Sequence, residues 1–201
     1  MKKLISCAVC LALCACAETS VVDLNDSKDV ARMQNVMELE YRDWTNTAEK
    51  MTKSMISSGA FKGKTKPIIA IADIKNDTAQ RFDTDILTKK IRTTLLNSGT
   101  AQIATNYSGE DATSNNVRKL RNDQEYDQST IASRGTLVAP NMSLSGKMLQ
   151  RNLKLDSGWF SSVDTRVEYY LQLTLTDLKT GLSVWEDEQP IIKEGDHAPT
   201  W

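Results

Sequence analysis

Two residue types that build many catalytic and metal sites are scarce in this chain of 201 residues. All four cysteines lie at or before Cys16, and His197 is the single histidine. Disulfides therefore cannot hold a folded domain together, and zinc sites built from cysteine and histidine have too few ligands. A Ser-His-Asp triad needs a histidine oriented by a buried carboxylate, and the residues around His197 have no helix or strand pattern. Phosphate loops of the GxxxxGK[ST] type are also absent. We expect no catalytic residue, no metal and no cofactor.

The chain also has no marked excess of positive or negative charge. The formal net charge is −1, and nucleic-acid-binding domains usually carry a basic surface or stripe. We therefore expect no nucleic-acid partner. Beyond the N-terminal segment, no run reaches the ~20 apolar residues that a membrane-spanning helix needs. A chain of this length favours one domain, which must be held together by its hydrophobic core.

The N-terminus has the layout of an export signal. A short basic start precedes an uncharged, mostly apolar stretch that runs to residue 15 and is too short to cross a bilayer as a helix. The sequence Leu13-Cys14-Ala15-Cys16 resembles the end of bacterial lipoprotein signals, in which an aliphatic, a variable and a small residue precede the cysteine that receives lipid. The other cysteines lack either the small residue before them or an apolar segment upstream. We predict that residues 1–15 are removed and that Cys16 carries the lipid.

A lipidated Cys16 implies a membrane anchor, since each buried CH₂ group contributes ~0.8 kcal/mol. In enteric-type bacteria an aspartate after the lipidated cysteine retains lipoproteins at the inner membrane, whereas Ala17 follows here. We therefore expect the protein to be anchored in the outer membrane and to face the periplasm. Residues 16–33 are predicted to be the lipidated cysteine and a short flexible tether, followed by one globular domain over residues 34–201.

Apolar periodicity predicts alternating helices and strands in the first half of the domain. A stripe at helical spacing predicts a helix over residues 41–58, with Asp43 as its N-cap and with the buried residues Trp44, Ala48, Met51 and Met55. Residues 67–74 are apolar on both faces, which is typical of a central strand. A second helix over residues 83–96, a short strand over 101–105 and a polar third helix over 111–129 are predicted to follow.

From Gly135 onward the apolar residues alternate with period two. Strands are predicted around residues 142–148 and 167–175, and residues 182–187 are predicted to return as a hairpin partner after the turn at 177–181. The sequence thus predicts an α/β fold: a mixed sheet with helices packed on it, and a C-terminal antiparallel meander of three strands.

Candidate binding residues are exposed aromatic side chains and arginine, which are enriched at interface hot spots. Trp159 and Phe160 adjoin Gly158 in a segment with turn residues. Arg166 and Tyr170 are predicted to lie on the strand face opposite Leu171. We interpret these four residues as a partner-binding set; for Tyr170, packing beneath a helix is the alternative.

Three stretches of the sequence resemble the LpoB-type family of penicillin-binding protein activators: MELEYRDWTNTAEKM, GTLVAPNMSLSGKM and EYYLQLTLTDLKTGLSVWEDEQPIIKEG. The resemblance runs from about Met37 to Trp201. It implies a fold similar to the N-terminal domain of TolB and an outer-membrane lipoprotein that stimulates a bifunctional, class A penicillin-binding protein by docking on the non-catalytic domain of that enzyme. It implies no chemistry by the activator itself, and we expect a monomer.

The tether is short in comparison with the long proline-rich tethers of the best-known members. Its 17 to 25 or so residues would span roughly 55 to 90 Å when fully extended. A structural or secretion-related envelope lipoprotein of related fold remains the alternative, although the chain has no spare length for the long amphipathic hairpins of a membrane barrel.

Overall fold

Helices and strands alternate along the chain in the computed structural model, which describes residues 37–63, 65–105, 111–154 and 165–195. The described helices are α1 (Tyr41–Ser57), α2 (Asp85–Ser98) and α3 (Ala112–Lys119), with a 3₁₀ turn at Gln128–Thr130. The described strands are β1 (Ile68–Asp77), β2 (Gln102–Ile103), β3 (Met142–Lys154), β4 (Thr165–Asp177) and β5 (Ser183–Gly195). No helix among these residues combines the length and the apolar character that crossing a membrane would require.

The five strands form one mixed sheet in the order β2-β1-β3-β4-β5. Strand β1 pairs in parallel with both β2 and β3, whereas β3, β4 and β5 form an antiparallel meander. The fold class predicted from the sequence, a mixed sheet with helices packed on it and a C-terminal three-strand meander, is confirmed.

Helix α1 buries the apolar stripe that the sequence predicts: Trp44, Ala48, Met51 and Met55 all lie in the core. Its start differs from the prediction. Glu40 is the N-cap, and Asp43 lies in the first turn, where Oδ2 of its carboxylate accepts a hydrogen bond from the Glu40 backbone N–H at 3.0 Å. A carboxylate in the first turn of a helix also interacts favourably with the helix dipole.

The core lies between α1, α2 and one face of the sheet. Strand β4 is its centre, since every second side chain points into it: Val167, Tyr169, Leu171, Leu173 and Leu175 are all at most 1% exposed. These residues pack with the apolar stripes of both helices in one cluster. The tyrosine in this row donates a hydrogen bond from its hydroxyl to the Met37 carbonyl at 3.1 Å, and burial raises the pKa of Tyr169.

Strand β1 is covered on both faces over only part of its length. Ile69, Ala70 and Ile71 are buried in succession, as the sequence predicts for a central strand. The pairing with β3 then shifts register between Ile71 and Ile74, and most of the residues that follow are exposed. The register shift therefore marks the point at which the second face of β1 opens to solvent.

The predicted helix over residues 111–129 is wrong in its extent. Helix α3 ends at Lys119, and Asn122 has a positive φ of 95°, which a continuing helix does not allow. No residue of α3 is buried, and Val117, one of its few apolar residues, is 44% exposed. Among the described elements, α3 packs against no other helix and no strand, so no apolar contact with the rest of the fold extends it.

Candidate docking surface

One face of the sheet carries no described helix. Helices α1 and α2 lie on the other face, and α3 contacts no strand of the sheet. The side chains of Arg166, Glu168, Tyr170 and Gln172 alternate with the buried row of β4, so they point to the uncovered side. We call this side the open face.

Tyr170 lies at the middle of the open face and is half-buried. The cross-strand register places it between Leu149 of β3 and Pro190 of β5. Its hydroxyl donates a hydrogen bond to Glu168 Oε2 at 2.5 Å. This hydrogen bond raises the pKa of Tyr170, with further contributions from desolvation and from the charge of the Glu168 carboxylate. The aromatic ring is therefore held in one orientation by a partner on its own strand.

Glu168 is the least exposed charged residue of this group, at 8%. The guanidinium of Arg151, on the neighbouring strand, lies 3.9 Å from the same Oε2 atom that accepts the Tyr170 hydroxyl. A buried carboxylate is costly unless charges and hydrogen bonds compensate it. Arg151 and Tyr170 supply both, so the three side chains form one connected polar cluster.

Arg166 is already paired. Its Nε and Nη2 atoms lie 2.6 Å and 2.5 Å from Glu194 Oε1, across the β4–β5 pairing. Farther along β4, the Gln172 side-chain amide donates a hydrogen bond to Glu188 Oε2 at 2.6 Å. A partner would therefore meet ion-paired and hydrogen-bonded side chains on this part of the surface rather than an isolated cation.

The open face has an uneven distribution of charge. Toward β1 and β3 it carries Lys75, Lys147 and Arg151, and Lys147 pairs with Asp77 at 2.9 Å. Along β5 it carries the carboxylates Glu186, Glu188 and Glu194. Between the two flanks lie Leu149, Tyr170, Pro190 and Ile192, the last of which is 53% exposed. An apolar centre between a cationic and an anionic flank is suited to binding a protein surface of complementary charge.

The structure describes two of the four predicted binding residues. Arg166 and Tyr170 share the open face, two positions on either side of Glu168. Trp159 and Phe160 lie outside the described residues, as does Cys16. Sequence reasoning missed Glu168 and Arg151, although Glu168 alternates with the same period as Tyr170. The partnership with Arg151 depends on strand register, for which the local sequence has no signal.

Catalytic chemistry has little support on this surface. Among the described residues, no three His, Cys, Asp or Glu side chains come together in a way that could hold a metal ion. Tyr170, whose pKa is raised, is more strongly protonated than a free tyrosine, which is the opposite of what a base or nucleophile needs. The arrangement is suited to recognition.

Comparison with known proteins gives a family match. The model of the family described as peptidoglycan-synthase activator LpoB matches residues 43–191, well over half of the chain. No curated protein sequence is significantly similar to it.

Solved structures with a similar fold include the LpoB C-terminal domain from Escherichia coli, which is 14% identical with a TM-score of 0.44 and covers 74% of this chain and 98% of that chain. The corresponding domain from Salmonella enterica is 15% identical with a TM-score of 0.45 and the same coverage of both chains. An Escherichia coli LpoB structure determined by NMR is 12% identical with a TM-score of 0.41, over 96% of this chain and 83% of that chain.

Proposed function

The chain belongs to the LpoB family of peptidoglycan-synthase activators, and from this premise we propose that it binds a class A, bifunctional penicillin-binding protein and raises its rate of glycan synthesis. The observation that carries the proposal is the family match over residues 43–191, which includes strands β1 to β4 in full and most of α1 and β5. The chain itself acts as a regulator and catalyses no step.

We propose that Cys16 carries lipid and anchors the protein in the outer membrane, with the domain in the periplasm. The support is the sequence Leu13-Cys14-Ala15-Cys16 behind an apolar leader, with Ala17 after it. Replacement of Cys16 by alanine should release the protein from the membrane into the soluble periplasmic fraction. Cell fractionation measures this directly, and retention of the variant in the outer membrane would contradict the proposed anchor.

We propose that the open face of this chain binds the non-catalytic docking domain of the synthase. Tyr170 supplies a half-buried aromatic ring, and Arg166 supplies a guanidinium whose pairing with Glu194 a partner carboxylate could share. Tyrosine and arginine are among the residues that contribute most to interfaces. Trp159 and Phe160, in the chain between β3 and β4, are proposed to extend the same contact.

Activation follows if the synthase has a less active and a more active conformation. A regulator shifts this equilibrium only by the difference between its affinities for the two conformations. A tenfold increase in the active population requires a preference of about 1.4 kcal/mol. One aromatic side chain buried against one conformation only is enough to provide such a difference.

The test combines binding with activity. The soluble form, residues 17–201, is mixed with the purified class A synthase of the same organism, and both the dissociation constant and the rate of glycan polymerisation are measured. Tyr170→Ala should weaken binding about 5- to 30-fold if the ring is an interface anchor.

Tyr126→Ala is the matched control, because Tyr126 is a 50% exposed tyrosine outside the open face. Loss of Tyr170 also removes a hydrogen bond from Glu168, so the melting temperature of each variant is measured as well. Tyr170→Phe separates the two effects, since it keeps the ring and removes only the hydroxyl. No binding of the wild-type protein to any class A synthase would contradict the proposed function.

A further inference from the structure

The sheet ends in two edge strands of very different length. Among the strands that the structure describes, β2 lies at one edge and has two residues, whereas β5 lies at the other edge and has thirteen. A long edge strand presents unpaired backbone N–H and C=O groups, to which an extended segment of another chain can add as a further strand. The properties of β5 therefore decide whether copies of this domain associate edge to edge.

Pro190 lies in the middle of β5 and removes a donor from its outer edge. Proline has no backbone N–H, yet β5 pairs with β4 without a register shift from Trp185 to Gly195. An uninterrupted ladder accommodates proline only where the proline nitrogen points away from the neighbouring strand. The nitrogen of Pro190 therefore points to the outer edge, and an added strand would find no donor there.

Backbone groups alternate along a strand, so the residues two positions from Pro190 share its orientation. The N–H and C=O groups of Glu188 and Ile192 point to the outer edge, whereas those of Gln189 and Ile191 face β4. Ile191 and Ile192 are the apolar part of this edge, and Ile192 is 53% exposed. An exposed β-branched pair on an edge strand favours strand addition, and Pro190 interrupts the edge directly before it.

The carboxylates of β5 oppose the pairing of two copies. Glu186, Asp187 and Glu188 are consecutive, and none of them forms an ion pair with another described residue. Lys193 is the one cation of the strand, and it pairs with Asp43 of α1. Four carboxylates and one lysine give β5 a formal charge of −3. Two β5 strands side by side would place like charges opposite one another, which is unfavourable.

A β-bulge near the start of β5 is a third obstacle. Trp185 pairs with Leu175 and Ser183 pairs with Thr176, so Val184 is an extra residue on the edge strand. A bulge bends the edge and increases its local twist, so that the edge fits poorly against a second sheet. Proline, charge and bulges are all means by which β-sheet proteins avoid edge-to-edge association, and β5 combines the three.

We propose that Pro190, together with the carboxylates of residues 186–188, prevents β5 from pairing with the β5 strand of a second copy of this chain. The domain thereby stays monomeric although its sheet ends in a long strand with an exposed apolar part. Copies anchored side by side in one membrane through the proposed lipid on Cys16 would otherwise present this edge to each other at high local concentration. The barrier is independent of the proposed synthase partner.

Amide hydrogen exchange of the chain with its natural β5 tests the orientation of the edge. The sample is the predicted mature chain, residues 16–201, with Cys16→Ser so that neither lipid nor a disulfide links two copies. The outward N–H groups of Glu188 and Ile192 should exchange at least about tenfold faster than those of Gln189 and Ile191, which bond to β4. Equal protection of the four amides would show that another segment covers the edge and would overturn the proposal.

A triple variant of the same chain removes the barrier. Pro190→Thr restores the missing donor, and Glu186→Gln with Glu188→Gln removes two charges. Sedimentation velocity at about 100 µM protein, within the range in which exposed edges associate, should detect a dimer of the triple variant, whereas the chain with natural β5 stays monomeric. In the dimer, exchange at Ile192 should slow at least about tenfold.

The matched control is Asp85→Asn with Glu125→Gln, which removes two charges from exposed residues outside the sheet and should leave the chain monomeric. Pro190→Thr alone keeps the carboxylates and should dimerise less than the triple variant. Circular dichroism establishes that each variant is folded.

Two results with folded variants would overturn the proposal: a triple variant that stays monomeric, or a dimer in which exchange at Ile192 is unchanged. Dimerisation of the chain with natural β5, with protection of Ile192, would overturn it as well. Each of these results leaves the proposed binding to a synthase standing.

Discussion

An ion pair between Lys193 and Asp43 joins the end of β5 to the first turn of α1. Lys193 Nζ lies 2.6 Å from Asp43 Oδ2, and the two side chains are only 13% and 16% exposed. The same carboxylate oxygen accepts the Glu40 backbone N–H. Lys193→Met keeps most of the aliphatic chain but leaves the Asp43 carboxylate without its cation. We expect this substitution to lower the free energy of unfolding.

The magnitude follows from the partial burial of the pair. Exposed ion pairs contribute about 0–1 kcal/mol, whereas removal of one partner from a fully buried pair costs about 3–5 kcal/mol. At the exposures of Lys193 and Asp43 we expect a loss of about 2 kcal/mol. In a domain of this size each kcal/mol lowers the melting temperature by about 2–4 °C, so a decrease of about 6 °C is expected.

The assay is urea unfolding followed by circular dichroism, in a double-mutant cycle with Asp43→Asn, which keeps an amide oxygen to accept the Glu40 N–H. Lys53→Met is the matched control, because Lys53 forms an ion pair of similar length, 2.7 Å, with Glu49 but is 67% exposed. The control should cost less than about 1 kcal/mol. The reasoning is refuted if Lys193→Met costs no more than Lys53→Met, or if the coupling energy in the cycle is near zero.

Two further predictions concern stability. A Cβ at Gly146 would lie 3.0 Å from the Gln172 carbonyl oxygen, so Gly146→Ala should cost about 1–3 kcal/mol in urea unfolding; an unchanged midpoint would contradict this crowding. Hydrogen bonds from Lys53 and Lys90 lower the pKa of Glu49 to about 2 from its ordinary 4.5. The stabilising effect of the ionised Glu49 carboxylate is therefore complete above pH 4.5 and disappears as the pH falls toward 2. Because the Glu49 side chain is a third exposed, Glu49→Gln should cost only about 0.5–1 kcal/mol at pH 7, and a cost that persists unchanged at pH 2 would contradict the assignment.

Much of the secondary structure was predictable because it is encoded in local periodicity. The stripe of α1 and the alternation of β4 each repeat over enough residues to determine both the type of element and its buried side. The polar segment after residue 111 had no such repeat, and there the predicted helix is wrong beyond Lys119. Caps were less predictable than stripes: Asp43 was predicted to be the N-cap of α1, but Glu40 is the cap and Asp43 lies three residues after it, in the first turn.

The candidate docking surface, too, was predictable only where it depends on a local sequence pattern. Arg166 and Tyr170 were predictable as neighbours on one strand face because side chains alternate with period two. That no described helix covers this face could not be predicted, because it depends on how helices pack rather than on the pattern of the strand. Nor could the contact between Glu168 and Arg151, which requires the register of β3 against β4.

The sequence by itself determined the elements with strong periodicity and the buried row of β4, because each is a pattern of neighbouring residues. Tertiary structure alone decided which face of the sheet stays open and the ion pair of Lys193 with Asp43. Each of these joins residues far apart in the chain. Their proximity follows from strand order and register, which are set by the packing of the whole core.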